Sequence, residues 1–315
     1  MAFGYQVLGF GSAPTAAVAA VAYYGGRGIW GGGYDGSSGT NVMGYVTISS
    51  LGNASDFGDL TDNREALGSC SGAGRGLWGG GYNYSPNAIG DIIDYVTISS
   101  LGNASDFGDL TVARYNHPAG VSSGTRGVFG GGNSGSNSNV VDFVIIASTG
   151  NATDFGDLTV ARSGSAAYSN GTRGVWQSGH DGTAVSNVID YITIASASNA
   201  IDFGDATVAR GSGLGGCSNG TRGVAGGGYV SGASNVIDFV IIASTGDATD
   251  FGDLTAARSG VGACSDGTKG VWGGGKNNGT RVNTMDYVNM ASSGDASDFG
   301  DLTGGINNLA ACSGD

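Results

Sequence analysis

Residue types that build several common functional sites are scarce in this sequence. Only two histidines occur among 315 residues, His117 and His180, and their separation in the chain argues against a multi-histidine metal site. Lys and Arg total 13 against 26 Asp and Glu, which gives a formal net charge of −13, and the basic residues form no run. Such a chain is poorly suited to phosphates, so neither nucleic acid nor an anionic membrane is an expected partner.

Long apolar runs and a basic leader are also missing. The first Lys or Arg is Arg27, which follows a short apolar stretch at 16–24, whereas a secretory signal begins with a basic region. No stretch reaches the roughly 18 apolar residues of a membrane-spanning helix. We therefore expect a protein made in the cytoplasm without a signal peptide and not inserted into a membrane.

The dominant feature that is present is an internal repeat. An Asp-Phe-Gly-Asp motif occurs six times, and successive copies start 50, 48, 48, 48 and 48 residues apart, at Asp56, Asp106, Asp154, Asp202, Asp250 and Asp298. Each unit holds four short segments rich in Val, Ile, Tyr, Phe and Thr, separated by Gly, Asn, Ser and Asp. Four strands in about 48 residues is the size of a propeller blade. The sequence predicts an all-β, six-bladed β-propeller of four-stranded antiparallel blades.

One strand of the repeat has too many copies for six blades. Its characteristic position occurs seven times, at Ala22, Cys70, Val121, Tyr168, Cys217, Cys264 and Cys312. We expect the ring to close by pairing of N- and C-terminal strands, with either 16–24 or 306–313 completing the ring and the other left over. The expected division is an N-terminal segment at 1–26, serving as closure strand or assembly arm, and the propeller at 27–315.

The four cysteines share this repeat position. Val121 and Tyr168 occupy it in two other units, and a position that accepts Cys, Val or Tyr is typical of packing rather than chemistry. Equivalent positions in successive units are also expected to lie beyond the reach of a disulfide. We predict structural thiols.

Most charges are fixed to the repeat. Eleven of the 13 basic residues and 17 of the 26 acidic residues recur at equivalent positions, which favours ion pairing between strands or blades. A catalytic group is expected once, on one blade, so we predict no catalytic residues and no enzyme activity. A cation at the paired aspartates is a weaker alternative, because Asp-Phe-Gly-Asp lacks the loop of a calcium motif. No metal or cofactor is expected.

One loop varies while its flanks stay fixed, namely the stretch that follows the glycine triplet of each unit. It is rich in Tyr, Asn, Ser and Gly, which suits a recognition surface but is equally typical of turns. The candidate ligand-binding residues are Tyr34, Asp35, Tyr82, Tyr84, His180, Asp181, Tyr229 and Lys276.

The order of motifs within a unit resembles the kelch repeat. The third unit shows an apolar pair with a glycine run (VFGGG, 128–132), then Phe143, Phe155 and Arg162, although Phe155 stands where kelch repeats usually have Trp. The sequence also resembles repeat proteins of tailed phages from aquatic environments. The resemblance lies in the repeated stretches "NATDFGDLTVAR" and "NGTRGVWGGG" (the latter a composite of neighbouring copies) and in the opening "MAFGYQVLGFGS". That resemblance implies location in the virion, associated with the particle or its tail.

These observations predict a non-enzymatic structural or adhesion protein, a phage virion or tail-associated component acting through multivalent protein or glycan contacts. Its expected partners are further copies of itself, other virion proteins or a host-surface glycan. The alternative is a soluble, lectin-like propeller with carbohydrate sites in the loops or between blades.

Overall fold

The protein is a six-bladed β-propeller. A computed structural model describes residues 25–314, and within them every regular element is a strand. Each blade is an antiparallel sheet of four strands, here called inner, second, third and outer. Neighbouring inner strands contact one another in a closed cycle, which places them around the axis. The predicted fold class and blade number are confirmed.

The strand bounds follow the repeat. From blade 1 to blade 6, the inner strands are Ala310–Gly314, Gly68–Gly72, Ala119–Ser122, Ala166–Ser169, Gly215–Ser218 and Gly262–Ser265. The second strands are Arg27–Gly31, Arg75–Gly79, Arg126–Gly130, Arg173–His180, Arg222–Gly226 and Lys269–Gly273. The third strands are Thr40–Thr47, Ile92–Thr97, Val140–Ile145, Val185–Thr193, Ser234–Ile241 and Thr284–Asn289. The outer strands are Ser55–Glu65, Ser105–Asp109, Thr153–Asp157, Ile201–Asp205, Thr249–Arg258 and Ser297–Asp301.

Two short hairpins extend the loops between second and third strands. They pair Tyr82–Asn83 with Ala88–Ile89 in blade 2, and Lys276–Asn277 with Thr280–Arg281 in blade 6. No helix within 25–314 is long and apolar enough to cross a membrane.

Blade 1 closes the ring. Its inner strand, Ala310–Gly314, pairs antiparallel with Arg27–Gly31, in a register that runs from Gly31 opposite Ala310 to Arg27 opposite Gly314. Closure by pairing of N- and C-terminal strands is therefore confirmed, and the C terminus supplies the inner strand. The role predicted for the N-terminal segment falls almost wholly on residues 1–24, which lie outside the described part of the chain.

The hydrophobic core lies between adjacent blades. One cluster joins Val141 and Phe155 of blade 3 to Trp176 and Ile192 of blade 4, all at most 2% exposed. Full burial of an aliphatic or Phe side chain contributes roughly 1.5–3 kcal/mol. The indole of Trp176 also donates a 3.0 Å hydrogen bond to the Ala119 carbonyl of blade 3. Because each sheet is covered on both sides, a single blade cannot bury its surface alone.

The cysteine position packs against a glycine of the next blade. A Cβ placed on Gly127 would lie 2.7 Å from the Cys70 sulfur. The glycine that follows the first, basic residue of each second strand therefore leaves room for the neighbour's side chain. The six contacts are Cys70 with Gly127, Val121 with Gly174, Tyr168 with Gly223, Cys217 with Gly270, Cys264 with Gly28 and Cys312 with Gly76. All four cysteines are buried free thiols, which confirms the packing interpretation.

The repeated basic residues bridge successive blades. Five Arg–Asp pairs with N–O distances of 2.5–2.8 Å lie almost completely buried: Arg64–Asp94, Arg114–Asp142, Arg162–Asp190, Arg210–Asp238 and Arg258–Asp286. The second set bridges through carbonyls: Arg75, for example, stacks over Tyr95 and donates to the Ile146 carbonyl of the next blade at 2.9 Å.

The prediction of ion pairing is wrong for the Asp-Phe-Gly-Asp carboxylates. Within 25–314 none of them forms a salt bridge. These aspartates sit on outer strands, where they are exposed or half-buried, as Asp56 and Asp59 illustrate. Water solvates their charge there, so these carboxylates do not require an Arg or Lys partner.

Candidate functional site on the loop face

One face of the ring carries all the variable loops. We call it the loop face: it holds the loops between second and third strands and the connections from each outer strand into the next blade. The first residue of each loop pairs with the neighbouring connection. The pairs are Tyr34 with Asn307, Tyr82 with Glu65, Asn133 with Tyr115, His180 with Ser163, Tyr229 with Gly211 and Lys276 with Ser259. All predicted site residues therefore lie on one face.

Four tyrosines on this face form a continuous strip, here called the tyrosine cluster: Tyr34, Tyr82, Tyr84 and Tyr115. The rings of Tyr34 and Tyr84 stack with centroids 6.0 Å apart, and Tyr82 packs edge-on against Tyr84 at 5.7 Å. Tyr115 lies 5.8 Å from Tyr82 at the other end. All four are half-buried, so each ring keeps exposed surface.

A cation closes one end of the strip. The Arg281 guanidinium, on the hairpin of blade 6, lies 4.3 Å from the centroid of the Tyr34 ring. The strip from Arg281 to Tyr115 thus crosses the loops of blades 6, 1 and 2 and the connection into blade 3. Such a surface offers flat rings beside a positive charge, which suits a ligand with an apolar face and an acceptor group.

Glu65 holds the centre of the cluster in place. Its two carboxylate oxygens accept hydrogen bonds from the Tyr84 hydroxyl at 2.8 Å and from the Asn308 amide at 2.9 Å. Burial, with the Glu65 hydrogen bond, raises the pKa of Tyr84 well above its ordinary value, so the hydroxyl remains a donor. The Tyr82 hydroxyl donates to Asn87 within its own loop at 3.0 Å.

Two predicted site carboxylates form turns. Asp35 accepts the backbone N–H groups of Ser38 and Ser37, which lower its pKa. Asp181 does the same with Ala184 and Thr183, and the bonds from the Ala184 backbone and the Thr183 side chain and backbone lower its pKa to about 2. Both side chains are charged at neutral pH and each fixes the shape of its own loop. The turn interpretation accounts for them.

The structure divides the predicted site residues into two groups. Tyr34, Tyr82 and Tyr84 meet in the cluster, and Asp35 lies beside it on the Tyr34 loop. The others, His180, Asp181, Tyr229 and Lys276, lie on the loops of blades 4 to 6. Within 25–314 none of their side chains forms a hydrogen bond, ring contact or cation–π contact with the cluster. Tyr229, 43% exposed, stands apart on blade 5.

Tyr115, Arg281 and Glu65 belong to the site although the sequence reasoning did not select them. The sequence feature that could have identified Arg281 and Tyr115 is that each departs from the repeat. Arg281 and Lys276 are the two basic residues outside the repeated positions. Tyr115 directly follows a repeated Arg, where three other units have Ser163, Gly211 and Ser259.

The axis of the propeller holds a narrow channel of about 140 Å³ lined by the inner strands. Five of its serine hydroxyls donate to a carbonyl of the neighbouring inner strand. The donor and acceptor residues are Ser122 and Ser71, Ser71 and Ser313, Ser169 and Ser122, Ser218 and Ser169, and Ser313 and Ser265. The Ser165 hydroxyl, which also lines the channel, has no partner within 25–314. The channel therefore has few free donors for a ligand.

At the loop face, backbone hydrogen bonds link the six connections into a ring around the axis. Its members are Ala66, residues 116–117, Gly164, Gly213, Gly260 and Asn308, each with positive φ. His117 lies within this ring, 7% exposed, with its Nε2 near Gly213 of the connection between blades 4 and 5. Burial lowers the pKa of His117, against a smaller opposing effect of a hydrogen bond with Asn308.

Within 25–314, no three His, Cys, Asp or Glu side chains are grouped so that they could hold a metal ion. Among known proteins, no family model matches the chain, and no curated protein matches it.

Proposed function

We propose that this propeller is a non-enzymatic adhesion protein that binds glycans through the tyrosine cluster. The observation that carries the proposal is the strip from Arg281 to Tyr115, in which four half-buried rings line one surface. Tyrosine supplies a large contact area at a low cost in side-chain entropy. Its ring stacks on the apolar face of a sugar, and Arg281 pairs with an acceptor on the same ligand.

The kelch-like order of motifs and the likeness to phage repeat proteins support a finer proposal. In it the protein is a structural component of a phage virion or its tail, made in the cytoplasm and assembled with further copies or with other virion proteins. Repetition of a weak site on such a particle raises the effective affinity by about 10²–10⁴-fold without any new contact.

A soluble, lectin-like propeller is the second candidate. One observation favours it: a single chain supplies every residue of the tyrosine cluster, so the site needs no second copy. This alternative predicts sugar binding by the monomer, whereas the adhesion proposal predicts useful retention only when several copies act together.

An array of immobilised neutral and acidic glycans tests both candidates. The biotinylated chain is applied as a monomer and as a streptavidin tetramer, with streptavidin alone as control. We expect a subset of glycans to retain the tetramer about 10²-fold more strongly than the monomer. Firm retention of the monomer by itself favours the soluble lectin, and retention of neither form would argue against glycan binding.

A further inference from the structure

Five of the six blade junctions share a buried Arg–Asp pair and a Thr hydroxyl that donates to the same Asp. At the junction of blades 1 and 2, Arg64 donates to the carbonyls of Gly80 and Ile92 at 2.9 and 2.8 Å, and to the Asp94 carboxylate at 2.5 Å. The Thr61 hydroxyl donates to the other oxygen of Asp94 at 2.6 Å. A planar guanidinium with a fork of donors fits this set of acceptors.

The sixth junction, between blades 6 and 1, lacks both charges. Ile306 occupies the arginine position, because "DLTGGI" (301–306) replaces "DLTVAR" (157–162). Gly44 occupies the aspartate position and pairs with Asp56 in the register that joins Asp94 to Asp106 in blade 2. Loss of one partner alone would leave a buried unpaired charge, whereas loss of both avoids that penalty.

A cavity of about 220 Å³ lies at this junction. We call it the seam cavity; its walls include Trp30, Gly32, Val42, Gly44, Thr303 and Ile306. Val42 is exposed, at 41%, whereas its counterparts at the five filled junctions, such as Ile92, are less exposed and count as half-buried. The missing arginine thus leaves open space.

The seam cavity keeps most of the acceptors that receive arginine elsewhere. Gly32 and Val42 are the counterparts of Gly80 and Ile92, and within 25–314 no donor reaches the Gly32 carbonyl. Thr303 is the counterpart of Thr61, and its hydroxyl makes no hydrogen bond within the described residues. A donor-rich ligand is therefore complementary to this cavity.

A negative charge also lines the cavity. Asp35 contributes to the wall, and its Oδ1 is occupied by the turn formed with Ser37 and Ser38. Its side chain is exposed, and its pKa is lowered by those backbone bonds, so the carboxylate is charged at neutral pH. The Arg281 charge also acts on Asp35. Asp35 is nevertheless a carboxylate in the wall of a junction where Gly44 replaces the aspartate.

We propose that the seam cavity binds a guanidinium group from outside the propeller, where the chain's own arginine lies at the other five junctions. The group would contact blade 6 through Thr303 and blade 1 through Gly32, and so would link the two ends of the ring. Free guanidinium compounds and an arginine side chain of a partner polypeptide share this chemistry.

Amide NMR on the full chain tests the proposal. Methylguanidinium is titrated at constant ionic strength, with methylammonium as the control of equal charge, and Gly-Arg-Gly is titrated in parallel with Gly-Lys-Gly. We expect saturable shifts at Gly32 and Gly44 and none at their counterparts Gly80 and Asp94. Methylguanidinium should bind about tenfold or more tightly than methylammonium, because only the planar fork matches several acceptors.

The two probes separate the sources. Binding of Gly-Arg-Gly supports an arginine side chain as ligand, whereas binding of methylguanidinium alone supports a small free cation. Equal responses to guanidinium and ammonium probes, or no shift at Gly32, would overturn the proposal.

Variants locate the binding. Gly44→Asp restores the missing carboxylate and is expected to tighten methylguanidinium binding about tenfold. The double variant Gly44→Asp with Ile306→Arg fills the cavity from within, so binding should disappear. If the double variant does not fold, Thr303→Val should weaken binding, whereas Thr111→Val at a filled junction should not. Binding that is unchanged by Thr303→Val and by Gly44→Asp would contradict the assignment.

Discussion

The Arg162 Nη2 atom lies 2.8 Å from the Asp190 carboxylate, although both side chains are completely buried and belong to successive units. Arg162 also donates to the Trp176 carbonyl at 3.2 Å and the Val188 carbonyl at 2.6 Å. The pair therefore fixes how the connection from blade 3 sits on blade 4. The net contribution of the pair to the free energy of unfolding requires both partners, because each charge has lost its hydration on burial.

Removing one partner should be costlier than removing both. Arg162→Met leaves Asp190 buried without its cation and is expected to lower the free energy of unfolding by about 3–5 kcal/mol. Arg162→Ile with Asp190→Gly reproduces the residues found at the junction of blades 6 and 1, and should lose less. Urea unfolding followed by tryptophan fluorescence measures both, and a double variant less stable than the single one would contradict this view.

The four thiols should be unreactive in the folded protein. Burial raises the pKa of Cys70 to about 12, and burial also raises the pKa of Cys217, Cys264 and Cys312, so thiolate is scarce at neutral pH. We expect no reaction with Ellman's reagent in buffer, and in urea the release of four equivalents of thionitrobenzoate, one for each thiol. Ser50→Cys, at an exposed turn, is the positive control. Rapid reaction of a native thiol would show that the contacts between inner strands open easily.

The burial of His117 predicts a loss of stability on acidification. Its folded pKa lies below the ordinary value of 6.5, so the unfolded chain binds more protons. The resulting stability is present above pH 6.5 and is lost as the pH falls toward the folded pKa. His117→Asn keeps a residue that tolerates the observed φ of 56° and should flatten the dependence of melting temperature on pH just below 6.5. Identical profiles for both proteins would count against it.

The N-terminal segment is predicted to drive assembly. All four strands of blade 1 come from residues 27–65 and 310–314, so residues 1–24 are not needed to complete it. Size exclusion with light scattering should give a defined oligomer for the full chain and a monomer for the chain lacking 1–24. If both elute near the 31.0 kDa of one chain, the assembly role is wrong.

The repeat made the fold predictable because each unit is one blade. Six regular copies determine the blade number, and the mixture of Cys, Val and Tyr at one position correctly indicated packing. The closing strand could not be chosen from sequence, since 16–24 and 306–313 carry the same pattern. Pairing with Arg27–Gly31 decides it.

The candidate site was only partly predictable, because its contacts cross blades. Tyr34 and Tyr84 lie 50 residues apart and meet because blades 1 and 2 are neighbours in the ring. Arg281 reaches Tyr34 only because blade 6 closes on blade 1. The composition of the loops does not distinguish His180 and Tyr229 from these residues, although they lie on blades 4 and 5, away from the cluster.

In the proposed function, glycans bind the loop face through the tyrosine cluster. This is tested by comparing the unaltered chain with Tyr34→Ala/Tyr84→Ala and with Tyr229→Ala, as streptavidin tetramers on the same glycan array. Tyr229 provides a matched control, being a loop tyrosine outside the cluster. We predict about a tenfold or greater loss of retention for the cluster variant and unchanged retention for Tyr229→Ala. Full retention by the cluster variant, or an equal loss in both variants, would show that glycans do not bind through the tyrosine cluster.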